Sequence, residues 1–259
     1  AVERAENQAI RKTAIKRLLK GSEQEKKLHV DYVKTWRAVK KTGKYLRKSG
    51  MFDLAAQGRL NTFALFVERS WHILAPSGKA GMIVPTAIIT YYYMQDLFGA
   101  LVEKKVLWSL FDFENRHKLF PIDSRERFCL LTIGGGRQEV RDIPMAFYCL
   151  EPDEVQEVLE LIPLETKSIQ DAIEKLPSEH KLFAFTIEDF ERLNPNTWTC
   201  PVFRTRRDAE LTRHIYQQAP ILVHKERKSG RELSNPWKIR LKQGLFNMAS
   251  DSGLFKTKE

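Results

Sequence analysis

Cysteine is scarce: the 259 residues hold three, Cys129, Cys149 and Cys200, widely spaced and odd in number. No Cys-x-x-Cys occurs, and none of the six histidines belongs to a His-Glu-x-x-His. Neither a disulfide framework nor a zinc site is therefore indicated, and three buried thiols is the better reading. Long apolar runs are missing too. AGMIVPTAII is one of the longest, well short of the roughly 18 residues that a membrane span needs. The polar N-terminal residues show no signal-peptide pattern. Together these absences lead to the expectation of a soluble, cytoplasmic protein with no membrane partner. A phosphate-cradling loop is also lacking. The triple glycine at 134–136 leads into RQEVRD instead of a helix with Gly-x-Gly-x-x-Gly spacing, and reads as a strand end. A nuclease reading is thin, because Pro152 and Asp153 lie far from the Glu226–Lys228 pair and nothing connects them.

What is present suits a protein of one or two domains: 42% of residues are hydrophobic and 29% charged, enough to bury a sizeable core. The formal net charge of +10 is unevenly spread. Residues 1–50 hold 15 Lys and Arg against 5 Asp and Glu, residues 51–193 hold 15 against 22, and residues 194–259 hold 13 against 6. Two basic ends flank an acidic middle. That pattern suits a polyanion gripped at separate places, nucleic acid being the usual one, and on charge alone it suits two solvated helical faces equally well.

Periodicity organises the chain. Residues 3–20 and 27–48 read as helices, the second with Leu28, Tyr32, Trp36 and Val39 three and four residues apart. That stripe is expected to pack, leaving a face with Lys40, Lys41 and Lys44 as the candidate for phosphates. NTFALFVERSWHILA, with Asn61 at its N-cap, predicts an amphipathic helix ending before Pro76. PSGKAG reads as a turn, GMIVP as a short buried strand, residues 92–105 as a helix, and VLWSLFDFE and RFCLLTIG as neighbouring strands. The order of elements is that of the second half of an open α/β sheet. Ligands of such sheets bind at the carboxyl ends of the strands, where the chain after MIVP and the segment holding Phe120 would lie.

That segment is unusual. LFDFENRHKLFPIDSRERFCLLTIGGG, residues 110–136, places a lone Phe-Pro pair in the most polar part of a loop. On the residues alone, a hydrophobic plug with Pro121 setting the turn accounts for it.

Four stretches resemble one known family: GRLNTFALFVERSWHILAPSGKAGMIVPTAII, LFDFENRHKLFPIDSRERFCLLTIGG, LNPNTWTCPVFRTRRDAELTRHIY, and NPWKIR with MASDSGLFKT. They occur in the order of the large gamma-class adenine-specific DNA methyltransferases of restriction-modification and phage-defence systems, from Gly58 onward. The resemblance implies methyl transfer from S-adenosyl-L-methionine to the exocyclic N6 amine of an adenine swung out of double-stranded DNA, since that atom cannot be reached inside the stack. It implies that Phe120 covers one face of the flipped base, and that Phe66 packs against the adenine ring of the methyl donor, with core packing of Phe66 the competitor. It places Arg204, Arg206 and Arg207 where target recognition begins, with surface ion pairing as the plainer account, and leaves Arg125 in a loop that faces DNA.

The family's glycine-containing donor motif and its Asn-Pro-Pro-aromatic motif do not occur in the sequence; its two Asn-Pro pairs, at 194 and 235, are followed by Asn and Trp. The expectation is a partial chain that begins just beyond the catalytic motif, has no catalytic residue of its own, and depends on the missing N-terminal part of the methyltransferase.

The fold class expected is α/β: the second half of a class I, Rossmann-like methyltransferase sheet, preceded by a helical segment and followed by the start of a DNA-recognition region. The expected domains are a basic helical segment (1–50), the C-terminal half of the methyltransferase domain (51–137), a connecting α/β region (138–193) and the start of target recognition (194–259). A non-catalytic DNA-binding or regulatory protein with a degenerate methyltransferase fold is the rival reading, and an unrelated α/β enzyme the third.

Overall fold

The computed structural model describes residue 2, residues 7–137, 139–160, 169–175, 180–219, 221–227 and 229–240, and residue 244. The stretch MASDSGLFKT that contributed to the family resemblance lies outside the described residues.

The basic N-terminal segment forms α1 (Gln8–Arg17), a 3-10 turn (Leu18–Lys20) and α2 (Glu23–Lys48). The second helix starts four residues earlier than its periodicity predicts because Ser22 and Glu25 form a reciprocal capping box, which satisfies two orphan N–H groups. No residue of either helix is buried. The predicted packing stripe is therefore corrected: Leu28, Tyr32, Trp36 and Val39 all face solvent, Val39 with 66% of its surface exposed.

Next come α3 (Thr62–Ile73), β1 (Lys79–Pro85), α4 (Ala87–Thr90), a 3-10 turn (Tyr92–Met94), α5 (Gln95–Glu103), β2 (Leu107–Glu114) and β3 (Arg127–Gly134). Asn61 is extended, as an N-cap should be, but its side chain makes no capping bond. The chain continues with β4 (Ile143–Cys149), α6 (Asp153–Glu160), α7 (Ile169–Glu174), β5 (Phe183–Phe185), α8 (Ile187–Leu193), α9 (Arg206–Gln218) and a small hairpin of β6 (His224–Lys225) and β7 (Glu232–Ser234).

Five strands build one sheet in the order β1-β3-β2-β4-β5. Strand β3 runs antiparallel to both β1 and β2, and β4 runs parallel to β2. Strands β1, β2 and β4 thus point the same way and end at one edge. The α/β class expected from the sequence is observed, with the reversed strand lodged between two parallel ones.

Alternation along the strands divides the core. On one face Leu107, Leu110, Leu131 and Phe147 pack with Ala64 and Val67 of α3 and Leu97, Phe98 and Leu101 of α5. On the other, Phe111, Phe113, Phe128 and Ala146 meet Val155 of α6 and Ile173 of α7. The buried carboxylate of Glu68 ties the loop before α3 to this frame, accepting from the N–H groups of Leu54 (3.1 Å) and Ala55 (2.7 Å). One expectation fails: GMIVP is not a buried strand. Strand β1 is outermost, so Val84 alone of its residues is buried and Ile83 is 58% exposed.

Candidate nucleic-acid interface at the carboxyl edge of the sheet

The connection from β2 to β3 is a tight structure held by one buried side chain. Asn115 is fully buried, and its amide bonds both ways with Phe120: Oδ1 accepts from the Phe120 N–H and Nδ2 donates to the Phe120 carbonyl, each at 3.0 Å. The same Nδ2 lies 3.3 Å from the Asp123 carbonyl, so a single residue pins both arms of the loop. Lys118 takes up the left-handed turn between them, with φ of 54°. The Phe120 ring is half-buried and meets Phe128 edge to face, with centroids 4.8 Å apart and planes at 88°. Leu119 and Ile122 beside it are exposed. Arg125 makes a two-pronged contact with Asp123 at 3.0 and 2.7 Å. This contact, together with the Arg125 N–H, holds the Asp123 carboxyl below its usual range.

Across the sheet edge stands a second cluster, centred on Asp112 in β2. Its carboxylate is wholly buried and receives three donors: the Thr86 hydroxyl at 2.5 Å, the Arg127 guanidinium, and the Tyr148 N–H at 3.1 Å. A buried carboxylate needs such a set, because losing water without compensation is costly. The donors come from the residue after β1, the first residue of β3 and the end of β4. The cluster therefore fastens three strand ends to β2.

Tyr148 is held in the left-handed region, with φ of 57°. For a bulky side chain this costs on the order of 1 to 3 kcal/mol and persists only where the surroundings impose it. Here its N–H is taken by Asp112 and its carbonyl accepts from Lys181 Nζ at 2.8 Å. Two guanidiniums lie over its ring, Arg127 at 4.1 Å and Arg204 at 4.2 Å from the centroid.

The residues singled out in the sequence fall into separate groups. Phe66 stands out from α3 with 69% of its surface exposed, so it is not part of the core formed by the described residues. Lys40 Nζ sits over its own helix's Trp36 ring at 4.0 Å, and Lys41 and Lys44 are exposed. Arg204 and Arg207 are exposed. Arg206 is turned inward instead. Its guanidinium donates to the Ile173 carbonyl at 2.6 Å and pairs with Glu210 at 2.7 Å, bracing α7 against α9. Of all these residues, Arg204 reaches the carboxyl edge through Tyr148, and Phe120 and Arg125 belong to the loop between the strands that Asp112 and Arg127 join.

Asp112, Arg127, Tyr148 and Asn115 were not singled out from the sequence. A usable signal did exist for one of them: an aspartate in the middle of the apolar strand LWSLFDFE must be buried, and a buried carboxylate implies partners.

Compared with known proteins, residues 10–120 match the family model of the Eco57I restriction-modification methylase. The match takes in all but the first two residues of α1, all of α2, and ends at Phe120. None of the curated proteins compared matches the chain. Among solved structures, the type IIG restriction endonuclease BpuSI aligns with 15% identity and a TM-score of 0.43, covering 62% of this chain and 18% of that one. The methyltransferase subunit of a type I restriction-modification system from Streptococcus thermophilus aligns with 9% identity and a TM-score of 0.40, covering 62% and 34%. The M protein of the type I restriction enzyme EcoKI aligns with 14% identity and a TM-score of 0.39, covering 61% and 42%. The chain thus spans less than half the length of each of these three.

Proposed function

We propose that this chain is part of a site-specific DNA methyltransferase of a restriction-modification or phage-defence system, acting on the exocyclic N6 amine of an adenine flipped out of double-stranded DNA. The observation that carries the reading is the position of the Phe120 loop. It opens at the carboxyl edge of the parallel strands, the edge where ligands of such sheets bind, and residues 10–120 leading to it match a restriction-modification methylase.

The chemistry asked of the loop is modest. An extruded base needs a face to stack on, and base-aromatic stacking supplies roughly 1 to 3 kcal/mol. Phe120 is held from behind by Phe128 and by the Asn115 clamp, with exposed neighbours on either side. A small rotation of the ring away from Phe128 would present its face.

S-adenosyl-L-methionine supplies the methyl group in this reading. Phe66 fits the part assigned to it, since its ring is open to stack on a purine. The acceptors for the target amine come from residues outside this chain. Among the described residues β1 is an edge strand with one unpaired flank, and that flank is where a strand bearing them would pair. Exposed Lys40, Lys41, Lys44, Arg125, Arg204 and Arg207 supply phosphate contacts.

The test is expression of this reading frame together with the sequence upstream of it, followed by analysis of host DNA for N6-methyladenine at a defined site. Methylation at such a site, lost on Phe120→Ala, is the expected result. Unmodified DNA, with donor bound and protein folded, would overturn the proposal.

A further inference from the structure

We infer that the Arg127–Tyr148–Arg204 cluster is a binding site for a backbone phosphodiester, in which Arg204 meets the phosphate and Tyr148 positions it. The inference rests on the DNA-binding part of the reading above.

The argument starts from charge. Two guanidiniums lie within 4.2 Å of one tyrosine ring centroid. The like charges repel, and the repulsion is relieved on one side only: Arg127 is paired with the buried Asp112 carboxylate. Arg204 has no ion pair and no hydrogen bond among the described residues, and it is exposed. The cluster therefore carries one uncompensated positive charge at the end of β4, and an anion is the partner that would complete it.

Preorganisation is the second argument. A free surface arginine samples many rotamers and loses them on binding, whereas a guanidinium already lying on an aromatic ring has fewer to lose and keeps its edge donors free. The ring itself cannot drift. Asp112 takes the Tyr148 N–H, Lys181 takes its carbonyl, and the left-handed backbone at this position is imposed by those contacts. Strain retained beside an uncompensated charge is more readily explained by binding than by stability alone.

The third argument is location. Asp112 receives donors from the ends of β1, β3 and β4, so the cluster lies at the edge where the Phe120 loop opens. Arg127 is the residue with which β3 leaves that loop. A phosphodiester held by Arg204 would run past the loop that receives the base, as a strand carrying a flipped nucleotide must.

Binding of a fluorescent duplex by the whole chain, followed by anisotropy as salt is raised, tests this. Arg204→Gln should lower the logarithmic salt slope by about 0.9, since one phosphate contact is lost. That corresponds to roughly five-fold weaker binding at 0.15 M salt if the two lines meet near 1 M. Tyr148→Ala should weaken binding to a similar degree, and the double variant no further, because both changes remove one interaction. Tyr148→Phe, which keeps the ring, should rescue it. Melting temperatures run in parallel identify any variant that fails to fold, and Arg204→Gln, at an exposed site, keeps the test decisive if Tyr148→Ala does. Losses from Tyr148→Ala and Arg204→Gln that multiply, or an unchanged slope in Arg204→Gln, overturn the inference while leaving DNA binding intact. A wild-type chain that does not bind duplex at low salt overturns the DNA reading itself, and this inference with it.

Discussion

Asn115 and Phe120 are joined by a reciprocal pair of hydrogen bonds, side-chain amide to backbone, each 3.0 Å long. Five residues apart in sequence, they close the loop between β2 and β3 into a ring whose one fully buried polar anchor is an asparagine. Replacing it by alanine leaves the half-buried Phe120 N–H without a partner, at about 1 to 3 kcal/mol, while the Phe120 carbonyl keeps the Ile122 N–H at 2.8 Å. Asn115→Asp keeps the acceptor but turns a carboxylate toward the carbonyls of Phe120 and Asp123, so it should be no better tolerated. Urea denaturation measures both, and a loss below about 0.5 kcal/mol for Asn115→Ala would mean that the loop holds its shape without the clamp.

Phe120 itself is placed between two roles. Its ring leans edge-on against Phe128 yet remains partly open to solvent. Phe120→Ala should cost about 1 to 2 kcal/mol, less than the loss of a fully buried phenylalanine, because half of the surface and one aromatic pair are removed. Phe120→Trp should fold with little loss. A cost above about 3 kcal/mol, with an unchanged methylation rate per folded molecule in the complete enzyme, would identify the ring as a core plug.

Arg206 and Arg207 are neighbours with opposite orientations, and their variants should separate cleanly. Arg206→Gln removes the guanidinium that bonds the Ile173 carbonyl and Glu210, so it should destabilise by about 1 to 3 kcal/mol and leave the salt slope of DNA binding unchanged. Arg207→Gln, at an exposed position, should do the reverse. Thermal melts beside salt titrations decide between the two outcomes for each. Charge reversal at Lys40, Lys41 and Lys44 together should likewise lower the slope without affecting the melt.

Glu68 organises a loop through a fully accepting carboxylate. Glu68→Ala strands the N–H groups of Leu54 and Ala55 in the interior, costing about 2 to 4 kcal/mol. Glu68→Gln keeps one acceptor oxygen and should recover roughly half of that loss. Equal stability of the two variants in urea titrations would show that shape, not hydrogen bonding, decides this position.

The thiols should be silent until the chain unfolds. Burial pushes all three upward, Cys149 to about 12. At pH 8 a thiol of pKa about 12 is ionised in about one molecule in 10,000, so alkylation of the native protein should be slow at all three sites. Denaturant should expose three reactive thiols at once. Fast labelling of any one in native buffer, followed by mass spectrometry, would show local opening around it.

Much of the frame was legible in the sequence because it is local. Apolar runs bounded by polar turns gave β3 its residues 127–134, and 3.6-residue periodicity with Pro76 beyond it marked α3. The pairing of β2 with β3 followed from their closeness along the chain. The buried cysteines followed from their number and spacing. What the sequence could not settle is whatever depends on a neighbour distant in the chain. An apolar stripe predicts that a helix can pack, not that anything covers it, and α2 keeps Leu28, Trp36 and Val39 in solvent. GMIVP reads as buried by composition, but burial is a property of the sheet, and at its rim one flank of β1 stays open. Arg206 differs from Arg204 and Arg207 because helix α9 directs its side chain toward α7, a geometry no residue count contains. The Asp112 cluster draws on residues 86, 112, 127 and 148, from four separate segments, and apart from Asp112 each is unremarkable in its own stretch. Only the parallel course of β1, β2 and β4, with β3 reversed between the first two, brings those four to one edge, where a buried carboxylate can hold them together.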